Sequence, residues 1–283
     1  MEAPNMNLVW GYEIERAARY RTKKEKNFVW GLAIVGVLLI GLGKDWRVFL
    51  GLLVLLPLAA WAYTKIRESQ VRAELLVQQS YALQAISFLN FKRPIQFGRW
   101  AILPDLAEIL VHLMAEHKPR VVLELGSGTS TLILAYCRKV MNLGCQIISV
   151  ESEAAFAEET RKLLWDHGLG DSVTIIVAPL VATMVGEQTF QWFDDTNGWL
   201  ETLPPVDLLL VDGPPGKIQK LSRHPALPKL WQRLSGDPII VLDDGYRPDE
   251  QKIAELWSAV LAGLDATFLP TLKGCWLWRK KAH

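Results

Sequence analysis

The chain has 283 residues, a formal net charge of +1 and a sequence pI near 7.7. Residues 1–72 carry 11 Lys or Arg and 6 Asp or Glu, a net charge of +5, so residues 73–283 carry −4. This body has no basic stripe, which argues against a nucleic-acid partner, whereas a basic head is typical of a segment lying against an anionic membrane. The three cysteines lack the spacing of a disulfide framework or a zinc site, so we interpret them as buried free thiols.

Two uncharged apolar runs lie near the start of the chain, at 28–43 and 48–63, with the charged tetrapeptide KDWR between them. Lys and Arg are concentrated before the first run and after the second, so the positive-inside rule places both ends in the cytoplasm. The pattern predicts a transmembrane helical hairpin at 28–63, in a plasma or inner membrane, preceded by a basic segment at 1–27. The alternatives are a buried hairpin of a soluble protein and an interfacial hairpin that does not cross the bilayer.

A connecting helix is predicted over 64–95, and from residue 96 onwards strands alternate with helices. The predicted strands lie at 120–125, 146–151, 172–178, 206–212, 238–244, 266–270 and 275–279. The central Val, Ile and Leu runs are typical of strands that are buried on both faces. We therefore expect an α/β fold with a Rossmann-like, open and mostly parallel sheet that ends in an antiparallel hairpin. The stretch around Trp192, before the fourth strand, is predicted to be a long insertion.

Acidic residues lie at the carboxyl ends of the predicted parallel strands, at the edge where such sheets bind ligands. They are Glu124, Glu151, Asp212, Asp243 and Asp244. The turn after the first strand has Gly126 and Gly128 where a dinucleotide fingerprint has its first two glycines, but Thr131 stands in place of the third. A carboxylate two residues before that turn suits an ammonium group better than a pyrophosphate. The pattern indicates a ligand with a cationic amino-acid end and a ribose, whose hydroxyls Glu151 would bind.

The stretches VVLELGSGTSTLILA, IISVES, VDLLLVDGPPG and IIVLDDGYRPDE, in this order and followed by a terminal hairpin, resemble class I S-adenosylmethionine-dependent methyltransferases. The resemblance covers about 96–283, and it is closer to a bacterial, membrane-anchored branch with poorly defined substrates. It implies that Glu124 and the glycine loop hold the methionine moiety, that the second strand's end holds the ribose, and that the segment after the third strand flanks the adenine. The implied cofactor-binding residues are Glu124, Gly126, Ser127, Gly128, Glu151, Ser152, Pro179, Leu180 and Asp212.

Asp212, Asp243 and Asp244 are similar to the ligands of metal-dependent O-methyltransferases, except that Asp244 stands where those enzymes have Asn. Three adjacent carboxylates repel each other unless a cation or a raised pKa relieves them, and oxygen ligands suit Mg²⁺ or another divalent cation. The first hypothesis is therefore a metal site. The alternatives are that Asp212 is a general base without a metal, or that Asp243 and Asp244 only turn the chain and cap the next helix.

The function predicted from these features is a membrane-anchored methyltransferase, most simply an O-methyltransferase, whose catalytic domain at 96–283 faces the cytoplasm. Its acceptor would be a small molecule, a lipid or a lipid-linked glycan. Two other functions remain compatible with the sequence. One is a nucleotide-cofactor oxidoreductase of similar fold, which Glu124 and Thr131 disfavour. The other is a non-catalytic membrane scaffold that binds the cofactor without turnover.

Overall fold

The structure is a computed structural model that describes residues 22, 26–27, 29–35, 46–261 and 263–280. The chain divides into two compact units, Met1–Tyr81 and Ala82–His283. Most of the predicted basic segment and much of the first apolar run lie outside the described residues.

One long helix, α1, contains the second apolar run of the first unit. It extends over Trp46–Ile86 without a break at Pro57. The connecting helix predicted over 64–95 is therefore not separate, since 64–86 belong to α1, and the α-helix ends at Ile86 and not near residue 95. Helical backbone is also described at 29–35, and Lys26 forms an ion pair with Glu68 of α1. Within the part of the chain that the structure describes, no helix has the combination of length and apolar character needed to cross a membrane. These helices therefore do not support the transmembrane hairpin predicted at 28–63.

The second unit is built on an open sheet, as the alternation of apolar runs predicts. Seven strands of the described residues have the order β3-β2-β1-β6-β7-β9-β8. Five of them are parallel: β1 (Val121–Leu125), β2 (Gln146–Glu151), β3 (Thr174–Val177), β6 (Val206–Val211) and β7 (Leu234–Asp243). The terminal hairpin adds β9 (Cys275–Arg279) antiparallel to β7, and β8 (Asp265–Leu269) antiparallel to β9. The fold class predicted for this unit is confirmed.

Helices connect the parallel strands and bury their apolar faces. They are α2 (Pro104–His117), α3 (Thr129–Val140), α4 (Ala154–Asp166), α5 (Trp199–Thr202), α6 (Ala226–Leu230) and α7 (Pro248–Val260). Both α2 and α7 have proline at the first helical position, where the missing N–H costs no hydrogen bond. One core contains Leu123 of β1, Leu209 of β6 and Trp257 of α7, all at most 1% exposed. Each such side chain contributes about 1.5–3 kcal/mol of transfer free energy.

The insertion predicted around Trp192 is instead a two-stranded antiparallel hairpin. Its strands are β4 (Leu180–Val185) and β5 (Gln188–Phe193), joined through Gly186 with a φ of 60°. Trp192 is 2% exposed and belongs to the main core, so this hairpin is anchored to the sheet. It also contacts the loop after β6, since the backbone N–H of Gln191 donates to the side-chain oxygen of Gln219 at 2.9 Å.

The turn between β8 and β9 approaches the end of β7 through Gly274, which has a φ of +73°. A Cβ atom there would lie 2.8 Å from the backbone nitrogen of Tyr246. We expect Gly274→Ala to lower the free energy of unfolding by about 2–4 kcal/mol, because backbone strain and overpacking add together. Urea denaturation measures the change. Gly144→Ala is the matched control, since its Cβ would meet no atom within 4 Å. Equal midpoints for the two variants would contradict this account of the turn.

Candidate active site

The candidate site lies at the carboxyl edge of the sheet, where the chain order reverses between β1 and β6. Ligands bind at such switch points because the connections leave on opposite faces and open a crevice. The loops after these strands approach closely, and a Cβ at Gly213 would lie 3.2 Å from the nitrogen of Gly126. Gly128, directly before α3, has a φ of +144°, and a Cβ there would meet no atom within 4 Å. The glycine loop therefore leaves open space beside the start of α3.

Glu124 is the penultimate residue of β1 and is completely buried. Its Oε2 accepts a hydrogen bond from Thr131 Oγ1 at 2.6 Å, and the same hydroxyl oxygen accepts one from the backbone N–H of Gly128 at 2.9 Å. Its Oε1 is also buried, and no hydrogen-bond partner for it is present among the described residues. Burial raises the pKa of Glu124 to about 7, although neighbouring hydroxyls act in the opposite direction. A buried acceptor without a donor is costly and indicates a place for a donor from a ligand.

Glu151 ends β2 next to the glycine loop and is 7% exposed. Its Oε2 accepts from Ser127 Oγ at 3.0 Å, and its Oε1 accepts from the backbone N–H of Glu153 at 3.0 Å and from Ser152 Oγ at 3.3 Å. Ser127 is also bonded to Thr160 Oγ1 at 3.0 Å. These contacts hold the carboxylate in one orientation and still leave it lone pairs for further donors.

The segment after β3 continues the same edge. The backbone N–H of Ala178 donates to the carbonyl of Glu151 at 2.8 Å, which fixes this segment beside the end of β2. Pro179 is exposed, and its carbonyl accepts from the N–H of Asp194 at 2.8 Å, while Leu180 begins β4. The residues predicted from the ends of three successive strands therefore form one continuous strip.

The three aspartates predicted as metal ligands also come together. Asp212 directly follows β6, Asp243 ends β7 and Asp244 follows it, and one carboxylate oxygen of each lies within 4.8 Å of the others. Asp212 has the most accessible side chain of the cluster, at 22%, compared with 7% for Asp244. It is therefore the member of the cluster that solvent reaches most easily.

Arg223 lies in the middle of this cluster, and sequence reasoning missed it. Its guanidinium is 3% exposed, and Nη2 donates to Asp212 Oδ1 at 3.0 Å and to Asp244 Oδ2 at 2.9 Å. Arg247 Nη1 also lies 2.8 Å from Asp244 Oδ2. A single arginine in a loop has no periodicity or spacing that marks it as buried.

The environment separates the acidities of the three aspartates. Burial raises the pKa of Asp212, with Arg223 opposing it, and burial together with the two neighbouring carboxylates raises the pKa of Asp243 well above its ordinary value. Burial acts in the same direction on Asp244, but the adjacent Arg223 and Arg247 outweigh it and lower the pKa of this residue. In this arrangement Asp244 is the most acidic of the three.

Comparison with known proteins identifies the domain. Residues 123–245 match a family model described as a methyltransferase domain. The chain contains a methyltransferase domain. The match begins in β1 and ends just after Asp244, so it includes the strip and the acidic cluster. Among curated proteins, no sequence matches the chain.

Solved structures show a more distant similarity. An O-methyltransferase from Streptomyces achromogenes, crystallised with S-adenosylmethionine, is 19% identical over 72% of this chain and 90% of its own, with a TM-score of 0.48. An O-methyltransferase from Bacillus cereus is 17% identical over 72% and 91%, with a TM-score of 0.47. A Podospora anserina methyltransferase is 16% identical over 71% and 88%, also with a TM-score of 0.47. These values are too low to transfer a substrate to the methyltransferase domain described here.

The residues of the methyltransferase domain fit the amino-acid end of a cofactor well and a divalent cation less well. The unpartnered oxygen of Glu124 and the open space at Gly128 fit an amino-acid group with an ammonium. The acidic cluster fits a divalent cation less well, because Arg223 already occupies one oxygen of Asp212 and one of Asp244. The metal site therefore stays a prediction.

Proposed function

We propose that this protein is an S-adenosylmethionine-dependent O-methyltransferase. The observation that carries the proposal is the buried, unpartnered oxygen of Glu124 beside the glycine loop. An ammonium group is the partner that such a carboxylate needs, and the cofactor's methionine end has one. The ribose hydroxyls would donate to Glu151, and the adenine would lie against Pro179 and Leu180. The family match to residues 123–245 supports the same assignment.

The bound cofactor would supply an activated methyl group on a sulfonium. The domain's residues would hold the acceptor oxygen in line with that methyl, and this alignment is the main source of rate in such a displacement. When bound, the cofactor would supply the methyl carbon that the acceptor oxygen attacks, and its sulfur would keep the electron pair of the carbon–sulfur bond. Asp212 takes the proton of the acceptor hydroxyl, because it is the most accessible carboxylate of the cluster.

Cofactor binding tests the proposal without knowledge of the acceptor. We expect Glu151→Ala to weaken S-adenosylmethionine binding by about 1–3 kcal/mol, the scale of a lost charge-assisted hydrogen bond. Isothermal titration calorimetry measures the affinity. Glu159→Ala, an exposed glutamate on the following helix, is the control and should bind like the wild type. Unchanged affinity in Glu151→Ala would refute the ribose role, and no binding to the wild type would refute the function.

We further propose that residues 28–63 hold the enzyme at the cytoplasmic face of a membrane, with both ends of this segment in the cytoplasm. The support is the charge pattern of the sequence together with the apolar side chains of α1. Val54, Leu55 and Leu58 are each more than half exposed to solvent within the first unit. Such apolar exposure is typical of a surface that contacts lipid or another protein.

Substitution of these side chains tests the membrane proposal. We expect Leu55→Asp combined with Leu58→Asp to move the expressed protein from the membrane pellet to the supernatant, since each aspartate within a bilayer costs about 2.5–3.5 kcal/mol. Gln78→Asp, at an exposed position further along α1, should leave the distribution unchanged. Retention of the double variant in the pellet would argue against lipid contact at these positions.

The acceptor would be a small molecule, a lipid or a lipid-linked glycan. Incubation of membrane extracts with methyl-labelled cofactor, followed by mass spectrometry of the products, identifies its class. Cofactor binding without label transfer to any extract would favour the non-catalytic scaffold instead.

A further inference from the structure

A single buried side chain connects all parts of the acidic cluster. Besides its bonds to Asp212 and Asp244, Arg223 donates from Nη1 to the backbone carbonyl of Asp243 at 2.9 Å. The same Nη1 lies 3.7 Å from Glu250 Oε1, at the start of α7. One planar group thus joins the ends of β6 and β7 to the first turn of a helix.

The shape of a guanidinium suits this task. Its donors form a rigid fork, so it can bridge carboxylates that a lysine ammonium would contact only one at a time. Removal of a buried guanidinium from water is costly unless several acceptors compensate it. At 3% exposure, Arg223 is stable in this place because Asp212, Asp244 and the Asp243 carbonyl all accept its hydrogen bonds.

Positively charged side chains already surround the carboxylates of the acidic cluster. The carboxylates of Asp212, Asp243, Asp244 and Glu250 are faced by the guanidinium of Arg223 and by Arg247, whose Nη1 lies 2.8 Å from Asp244 and 3.8 Å from Glu250. Lys273 adds a third positive charge that acts on all three aspartates. A divalent ion bound by the same aspartates would lie within a few ångströms of a guanidinium, and at low dielectric this repulsion is large.

We propose that Arg223 takes the place of the divalent cation of metal-dependent O-methyltransferases and holds Asp212 in position to accept the acceptor's proton. The protein then needs no metal for methyl transfer. Arg223 is a positioning residue in this arrangement: it gives up no proton and acts through the carboxylate that it orients. The part of this inference that concerns methyl transfer rests on the proposed function, and the part that concerns cation binding does not.

Titration of metals alone tests the cation-binding part. Full-length protein that has been treated with a chelator and dialysed is titrated with MgCl₂, MnCl₂ or CaCl₂ in a calorimeter, and its melting temperature is recorded with and without each salt. We expect no saturable binding and no stabilisation of the wild type. Stoichiometric binding of any of these ions to the wild type, with a raised melting temperature, would overturn the proposal.

The variant Arg223→Met provides the complementary test. Removal of the guanidinium leaves the buried carboxylates around it without a positive charge, so the melting temperature should fall. Millimolar Mg²⁺, Ca²⁺ or guanidinium ion should restore part of the loss. A variant that melts like the wild type and does not respond to cations would count against the proposal. If Arg223→Met does not fold, the wild-type titration still decides the cation-binding part.

Label transfer from the cofactor to membrane extracts tests the positioning role. Excess chelator should leave the wild-type rate unchanged, and loss of transfer on chelation would overturn the proposal. Arg223→Lys should lower kcat at least about tenfold with little change in cofactor affinity, because one bridging bond is lost. A merely structural role predicts instead that rate and cofactor affinity fall together. If the wild type binds no cofactor, the proposed function fails, while the metal titrations still report on Arg223.

Discussion

Glu124→Gln is expected to make the cofactor-free protein more stable at pH 8 and to weaken cofactor binding by about 10- to 100-fold. The weaker binding follows from the loss of a charge-assisted hydrogen bond to the ammonium group. The gain in stability follows from the pKa, which burial raises from 4.5 to about 7 in the folded protein. Between these pH values the folded state binds a proton that the unfolded state does not bind. The wild type therefore loses stability as the pH rises through this window.

The size of the effect follows from the same shift. Above pH 7 the ionised carboxylate costs the folded protein on the order of 3 kcal/mol, which the neutral amide avoids. We expect an advantage of about 1–3 kcal/mol for Glu124→Gln at pH 8, because the amide must still satisfy its own hydrogen bonds, and a smaller advantage at pH 5. Urea denaturation at both pH values and calorimetry with S-adenosylmethionine measure the two effects. Glu159→Gln is the control, and a variant that bound the cofactor like the wild type would remove Glu124 from the site.

Asp212→Asn is expected to lower the rate of methyl transfer by about 10²- to 10⁴-fold, the usual contribution of a general base. Cofactor affinity should change much less than the rate. Burial raises the pKa of Asp212, so the wild-type rate should increase with pH as this carboxyl ionises, and the variant should lack that dependence. Initial rates of label transfer across the pH range measure both properties.

The loss of rate in Asp212→Asn is compared with the loss caused by substitutions at the end of β7. If Asp212 is the base, Asp243→Asn and Asp244→Asn should each reduce the rate less than Asp212→Asn. A metal-dependent mechanism predicts a different order, in which Asp243→Asn is costly and Asp244→Asn is mild because it restores the Asp-Asn pair of those enzymes. Asp243→Asn as the most damaging change would therefore assign the cluster to a metal and not to a base.

The parts of the structure that the sequence predicted well are those governed by burial and strand ends. The run VVLEL is apolar except for Glu124, which is typical of a strand buried on both faces, and all five of its positions are buried in the structure. A carboxylate in such a strand needs a polar partner. Because the parallel strands end at one edge, the carboxylates that follow them were predicted to assemble there. In the sequence, Thr131 was notable only because it replaces the third glycine of a dinucleotide-binding loop. In the structure, its hydroxyl donates a hydrogen bond to Glu124.

The features that the sequence did not predict were missed for different reasons. Arg223 reaches the acidic cluster through a long side chain from a loop, and nothing in its neighbours indicates that direction. The hairpin of β4 and β5 had a readable signal, since two runs with strand character flank a two-residue connection whose first residue is Gly186. The start of the connecting helix at 64 was misplaced because α1 continues through it without any residue that ends a helix.

The position of β9 in the sheet has a consequence for synthesis of the protein. Cys275 of β9 pairs with Asp243, and β9 lies between β7 and β8, although it is made after both. Until residue 279 has left the ribosome, one edge of β7 therefore has no strand to pair with. During that interval the apolar edge of β7 can pair with other chains. A truncation before Cys275 would make this exposure permanent, so we expect such products to aggregate even though every residue of the proposed cofactor strip is present.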